Sequence, residues 1–253
     1  MLKRASGILL PVSSLPGPWG IGTLGKEARQ FVDFLAAAGQ TYWQILPVGP
    51  TGYGDSPYQS FSAFAANPYF IDPDTLIARG LLTEEEAGAD RGENPARVDY
   101  GALYAHRHAL LQKAADRLPA GDAGFTHWKE KQSDWLEDYS LFMALKEEND
   151  QQSWTCWPDE VRLRRPDALE RARKRLAGRV DYWRKIQYLF YCQWAALLEY
   201  AHGKGVQIIG DIPIYVSPDS SDIWAAPELF QTDGDRRLTR VAGCPPDAFA
   251  ADG

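Results

Sequence analysis

At 253 residues and 28.3 kDa, the chain has room for one large domain, or one domain with a sizeable insertion. Hydrophobic residues make up 45% of it, so a packed core is expected and disorder is not. The 27 basic and 34 acidic side chains leave a net charge of −7, which argues against nucleic acid as the main partner, because phosphate binding needs a basic surface.

Residues 7–12 form a short apolar run closed by Pro and Ser and are read as a buried strand. The glycines of the following loop, Gly17, Gly20 and Gly22, loosely imitate a dinucleotide fingerprint. Their spacing is wrong and Pro18 interrupts them, so no phosphate site is expected. Residues 26–38 carry Ala28, Phe31, Val32, Leu35 and Ala36 at helical spacing, with Gly39 as a natural stop. A second strand is predicted over 41–48. Strand, helix, strand is the opening of a parallel unit.

The loop after that strand reads Gly52-Tyr53-Gly54-Asp55-Ser56-Pro57-Tyr58-Gln59-Ser60. Tyrosine rings offer a flat apolar face to a pyranose, and Asp, Ser and Gln offer hydrogen bonds to its hydroxyls. Taken alone, it reads first as a tight turn whose tyrosines pack on a rim.

Residues 83–149 are polar and charged, with helical patterns and no convincing strand. Thr83 followed by Glu86 is a capping-box helix start, and 104–118 and 135–148 read as further helices. This is a helical insertion, longer than an ordinary crossover. Residues 167–203 are helical, with a break expected near Gly178 and a face of Trp183, Ile186, Leu189, Phe190, Trp194, Leu197 and Leu198 that suits a core. A third strand is predicted over 206–214, ending at Asp211 and Pro213, and a short helix near 221–226. The division is then 1–82, first barrel units with the tyrosine loop; 83–166, helical insertion; and 167–253, continuation through the third strand.

Asp211 is the strongest single candidate, since barrel enzymes collect functional groups where parallel strands end; a loop-fixing aspartate reads equally well. The histidines, His106, His108, His127 and His202, form no metal motif and suit surface or helix-packing roles. There is no nucleophile elbow and no Walker loop. The basic runs 162–165 and 171–175 read as a solvated helix start and face. Cys156, Cys192 and Cys244 are odd in number and lack a Cys-x-x-Cys spacing, so neither a disulfide framework nor a cysteine zinc site is expected. The apolar run at the N-terminus is too short for a secretory signal and ends at Pro11. No window approaches the ~18 apolar residues of a membrane span. The expected compartment is the cytoplasm, with no membrane partner.

Several ordered segments resemble the amylomaltases, the bacterial 4-α-glucanotransferases related to plant disproportionating enzyme. They are Ser6-Gly7-Ile8-Leu9-Leu10-Pro11-Val12-Ser13-Ser14-Leu15-Pro16, Trp43-Gln44-Ile45-Leu46-Pro47-Val48-Gly49-Pro50-Thr51, and Gly54-Asp55-Ser56-Pro57-Tyr58-Gln59-Ser60-Phe61-Ser62-Ala63-Phe64-Ala65 through Asn67-Pro68. Later come Gly210-Asp211-Ile212-Pro213-Ile214-Tyr215-Val216, Ser221-Asp222-Ile223-Trp224 and Ala242-Gly243-Cys244-Pro245-Pro246-Asp247-Ala248-Phe249. The resemblance implies an α/β fold, a (β/α)8 TIM barrel with a helical insertion near its second strand. It implies that Tyr58 stacks on the sugar at the cleavage point, that Asp211 supports the active site after the third strand, and that Ser56 borders the same subsites. Tyr53 and Tyr100 resemble a pair forming a second, remote glucan site in some members. Pro245, Pro246 and Asp247 match a mobile loop over the donor chain. The implied reaction is retaining transfer of α-1,4-glucan segments between maltodextrins, from starch or glycogen, with no cofactor and no metal.

The family's catalytic carboxylates lie in an Arg-x-Asp-His block and in later Glu and His-Asp blocks, none of which occurs here. The nucleophile and acid/base are therefore expected beyond Gly253, and about three of a barrel's eight strands are expected within the chain. As an N-terminal fragment, it is expected to be inactive and aggregation-prone, with unpaired strand edges. A non-catalytic maltodextrin-binding remnant and an α-amylase-type hydrolase are the alternative readings.

Overall fold

The computed structural model describes residues 4–88, 92, 97–119, 121–240, 243, 245–246 and 248, with Tyr53 described for its backbone alone. Three short parallel strands, β1 (Gly7–Leu9), β2 (Tyr42–Gln44) and β3 (Gln207–Ile209), pair in the order β1-β2-β3, with Tyr42 opposite both Gly7 and Gln207. Each is shorter than the sequence suggests. The ladder runs one residue further, Leu10 N donating to Gln44 O at 2.9 Å and Ile45 N to Ile209 O at 3.0 Å. Pro11, Pro47 and Pro213 then stand close behind the strands, where they remove donors and end the pairing.

The expectation of a buried first strand is corrected. Ile8 is 39% and Leu9 54% exposed, because β1 has a neighbour on one side alone and its outward face meets nothing. In the central strand Tyr42 is half-buried and Gln44 exposed, and the middle residue is enclosed. Trp43 is fully buried, donates its indole N–H to Leu10 O at 2.8 Å, and meets the Phe31 ring edge-on.

Helix α1 (Lys26–Ala37) follows β1 and stops where Gly39 takes a left-handed φ of 69°. Three helices come after β2: α2 (Pro73–Ala78), α3 (Glu84–Gly88) and α4 (Tyr100–Arg117). Their starts are legible. Asp72 caps α2 through Thr75 N, and Asp99 caps α4 through Ala102 N. The expected capping box opens α3: Thr83 N donates to Glu86 Oε2 at 3.0 Å and Glu86 N to Thr83 Oγ1 at 3.2 Å.

Further on lie α5 (Ala123–Lys131), which the sequence reading did not separate, α6 (Ser133–Glu148), α7 (Asp159–Arg162), α8 (Pro166–Arg175), α9 (Ala177–Gly203) and α10 (Ser221–Ala225). The expected break near Gly178 falls at Leu176, and Gly178 is inside α9. The 162–165 run is not a solvated face. Arg162 is buried, bonded to Asp159 and the Asp235 carbonyl, and Arg164 pairs with Asp138 and lies over the Trp224 ring.

Helix α9, roughly 40 Å long for its 27 residues, is the spine. It packs on α4, α5, α6 and α8, and also on α1 and β3, so the helical region and the sheet share one core. Two of its buried side chains clamp the chain running from β2 to α2. Gln187 Oε1 accepts from Ala66 N at 2.7 Å while its Nε2 donates to Ala66 O at 2.9 Å. Gln193 does the same for Asp72, at 2.7 and 3.1 Å. Each amide replaces a strand partner that the 66–72 backbone lacks.

Candidate functional site

The tyrosine loop is a closed hairpin. Thr51 and Ser60 form an antiparallel bridge, and Gly52 N donates to Gln59 O at 2.7 Å. At its tip Gly54 and Asp55 both take left-handed φ, 68° and 55°, so the chain reverses within a few residues. Ser56 Oγ then accepts from Tyr58 N at 3.3 Å, and Ser56 O from Gln59 N at 3.0 Å. Ser56 thus shapes the turn that presents Tyr58.

Tyr58 is 44% exposed, and its hydroxyl donates to Asp211 Oδ2 at 2.7 Å. These residues are 153 positions apart, and the parallel pairing of β2 with β3 brings them together. The other oxygen of Asp211 accepts from Ile212 N at 2.8 Å, so the carboxylate is held from both sides. The bond to Asp211 and partial burial push the Tyr58 phenol above its ordinary pKa, so it remains a neutral donor. An open aromatic face beside a fixed carboxylate can stack on a sugar ring and bind its hydroxyls.

The hairpin is anchored from behind by residues to which the sequence reading gave no role. Ser221 N and Oγ both donate to Phe61 O, and Asp222 Oδ2 accepts from Ala63 N at 3.0 Å. Lys146 on α6, itself buried, donates to Asp219 at 2.6 Å and lies over the Phe61 ring. Nothing local in the sequence signals these contacts, which join positions far apart in the chain.

Beside Asp55, at the tip of the loop, a cavity of about 540 Å³ is lined by Asp55, Arg97, Val98, Asp99 and Tyr100. Burial raises the pKa of the Asp55 carboxyl, and burial together with the Asp55 charge raises that of the Tyr100 phenol. Tyr100 is therefore near the hairpin, sharing cavities with Asp55 and Pro57. The Tyr53 ring and Asp247 lie outside the described residues. Among the described residues no group of His, Cys, Asp and Glu could hold a metal ion, and no helix is long and apolar enough to cross a membrane.

The 4-alpha-glucanotransferase family model matches residues 10–253. The chain belongs to that family. The 4-alpha-glucanotransferase of Streptococcus pneumoniae is 49% identical over all of this chain and 51% of its own length, and that of Thermus thermophilus is 49% identical at the same coverage. Among solved structures, the amylomaltase from Streptococcus agalactiae in complex with acarbose superposes with a TM-score of 0.94 at 42% identity, over 99% of this chain and 52% of that one. The chain spans about half the length of the curated relatives it matches, and its three parallel strands and helical region have the architecture of a 4-alpha-glucanotransferase barrel over that half.

Proposed function

We propose that this chain forms the Tyr58–Asp211 part of a 4-α-glucanotransferase cleft, in a protein that moves α-1,4-glucan segments between maltodextrins with retention. The observation that carries the reading is the 2.7 Å bond between an exposed Tyr58 and Asp211 at the C-terminal end of the sheet, in a chain of this family. Here Tyr58 is the stacking face at the cleaved linkage, Asp211 fixes that ring and binds hydroxyls, and Ser56 sets the turn. The solved relative holds acarbose, which fits a glucan-shaped cleft. Asp55 and Tyr100, with Tyr53, are assigned to a second glucan contact at the hairpin's tip, and Asp247 to a loop over the donor chain. The division at 82/83 and 166/167 is proposed on the same footing.

Retaining transfer needs a carboxylate nucleophile and an acid. The described site brings together one carboxylate, Asp211, and it is committed to Tyr58. In this reading the two catalytic groups come from outside the described residues, and a sugar hydroxyl rather than water captures the glycosyl-enzyme in a cleft that excludes solvent.

The test uses the full chain that the coding sequence specifies, incubated with maltotriose. Longer and shorter glucans should form with no change in reducing ends, and Tyr58→Ala should lower kcat/KM by at least about tenfold. Steadily rising reducing ends would replace transferase by hydrolase. Binding of maltodextrin with no redistribution of lengths would leave a binding protein.

A further inference from the structure

The segment that carries Asp211 has few supports. Ile209 O accepts from Ile45 N at 3.0 Å where β3 ends. Among the described residues, the backbone of 210–217 makes no hydrogen bond to another element, and Ile212, Ile214 and Tyr215 are exposed. The next fixed point is Pro218 and Asp219. Pro218 O accepts from Trp154 Nε1 at 2.9 Å, Asp219 Oδ1 from Trp154 N at 3.2 Å, and Asp219 Oδ2 from Lys146 Nζ at 2.6 Å. The returning arm of the hairpin comes to the same place. Phe61, three positions after Tyr58, has its ring centroid 4.8 Å from Lys146 Nζ. We propose that Lys146 is a positioning residue for glucan transfer: holding Asp219 and the Phe61 ring together, it sets Tyr58 against Asp211. The part about transfer rests on the glucanotransferase reading, whereas the mechanical link does not.

Three observations carry it. Lys146, in the last turn of α6, is 1% exposed and uses every N–H of its ammonium inside the protein. Asp219 takes one, and the carbonyls of Gln151 and Gln152 take the others at 3.1 and 3.2 Å. A surface lysine samples many rotamers, but a buried one with all its donors engaged has one geometry. Secondly, the turn that supplies those carbonyls is itself braced. Asp150 and Gln151 take left-handed φ, 51° and 61°, and Gln151 N donates back to Lys146 O at 2.8 Å. Non-glycine residues keep such angles where their surroundings hold them.

Thirdly, the two arms are tied to each other just beyond this point. Phe61 O accepts from Ser221 N at 2.8 Å and from Ser221 Oγ at 3.1 Å, and Ala63 N donates to Asp222 Oδ2 at 3.0 Å. A shift of Asp219 therefore moves the hairpin arm as well as the end of the Asp211 segment. Burying an ammonium is costly, and an apolar side chain of the same length would fill the space without that cost. What the charge adds is direction: a carboxylate, two carbonyls and an aromatic face are all fixed around one nitrogen.

The test uses the full chain that the coding sequence specifies. Lys146→Met keeps the stem and deletes the ammonium, and each variant is assayed where its near-ultraviolet circular dichroism matches the parent's. With maltotriose, Lys146→Met should lower kcat/KM at least about tenfold, but less than about twofold in a Tyr58→Ala background, because it acts through Tyr58. A second readout needs no activity. In fluorine NMR of the fluorotyrosine-labelled chain, the Tyr58 signal is assigned by its loss in Tyr58→Phe. The bond to Asp211 holds that phenol above its ordinary pKa, and Lys146→Met should bring its titration down towards that of free fluorotyrosine. If Lys146→Met does not fold, Asp219→Asn and Phe61→Leu carry the same two measurements. Equal losses with and without Tyr58, or a Tyr58 titration that does not move, would overturn the proposal and leave a purely structural lysine. A parent without glucan transfer whose Tyr58 titration still follows Lys146 would sink the enzymatic reading and keep the link; transfer with additive losses would do the opposite.

Discussion

In the proposed reading the Tyr58 ring stacks on the sugar while its hydroxyl holds Asp211, so the two tasks are separable. Tyr58→Phe keeps the stacking face and deletes the bond to Asp211. A hydrogen bond of this kind is worth about 1 kcal/mol, so KM for maltotriose should rise roughly fivefold, well short of the loss from Tyr58→Ala. An equal loss in both variants would mean that the ring matters little. His108 makes a second prediction at this scale. The unfolded imidazole binds its proton near 6.5, and the folded one near 4, because burial outweighs the attraction of Glu147. Between those values the unfolded state holds more protons. Stability is therefore complete above about pH 6.5 and falls as the pH drops towards 4, by on the order of 3 kcal/mol. Thermal melts from pH 7 to 4.5 should show this slope, and His108→Gln should flatten it. Parallel slopes in the two proteins would assign the loss to other groups.

Among the elements, α9 does the most to place the site. Its Gln187 satisfies both backbone groups of Ala66, in the segment that continues from the hairpin's anchored end. Gln187→Leu conserves bulk and strands a buried N–H and C=O, each costing about 1–3 kcal/mol. Urea unfolding should give a stability lower by roughly 2–5 kcal/mol. A change below that would mean water reaches Ala66. The many ion pairs on α8 are a contrast. Arg171 with Glu160 and Asp167, and Lys174 with Glu170, are well exposed on both partners and should contribute little.

Across the whole molecule, the apolar surface is uneven. Leu9, Ile209, Ile212, Ile214 and Tyr215 are 54%, 43%, 77%, 90% and 62% exposed, and all lie on or just beyond the sheet's two outer strands. Unpaired parallel edges beside such residues are templates for association. The 253 residues expressed alone should form concentration-dependent oligomers in size-exclusion chromatography with light scattering. A monomer at every concentration, with one sharp thermal transition, would show that the face is tolerated in water.

By itself the sequence determined the local elements and the family. Proline and glycine stops, the Thr83–Glu86 box, the apolar face of α9 and the Tyr58 loop are written in residues a few positions apart, where propensity and capping act. Asp211 was legible because it ends a predicted strand, and Tyr58 through the resemblance of its turn-rich loop to the family. Only the tertiary structure decided that they touch, that Ser56 bonds within the turn, and that Arg162 is buried. It also decided that most of the tryptophans serve the core, Trp19, Trp43, Trp154 and Trp224 being the most deeply enclosed. The same holds for the two glutamine clamps. A glutamine, an arginine or a lysine reads as surface in a sequence. Whether it is buried depends on a partner carbonyl or carboxylate that can lie 120 positions away, as Ala66 lies 121 from Gln187, and that distance is closed by packing alone.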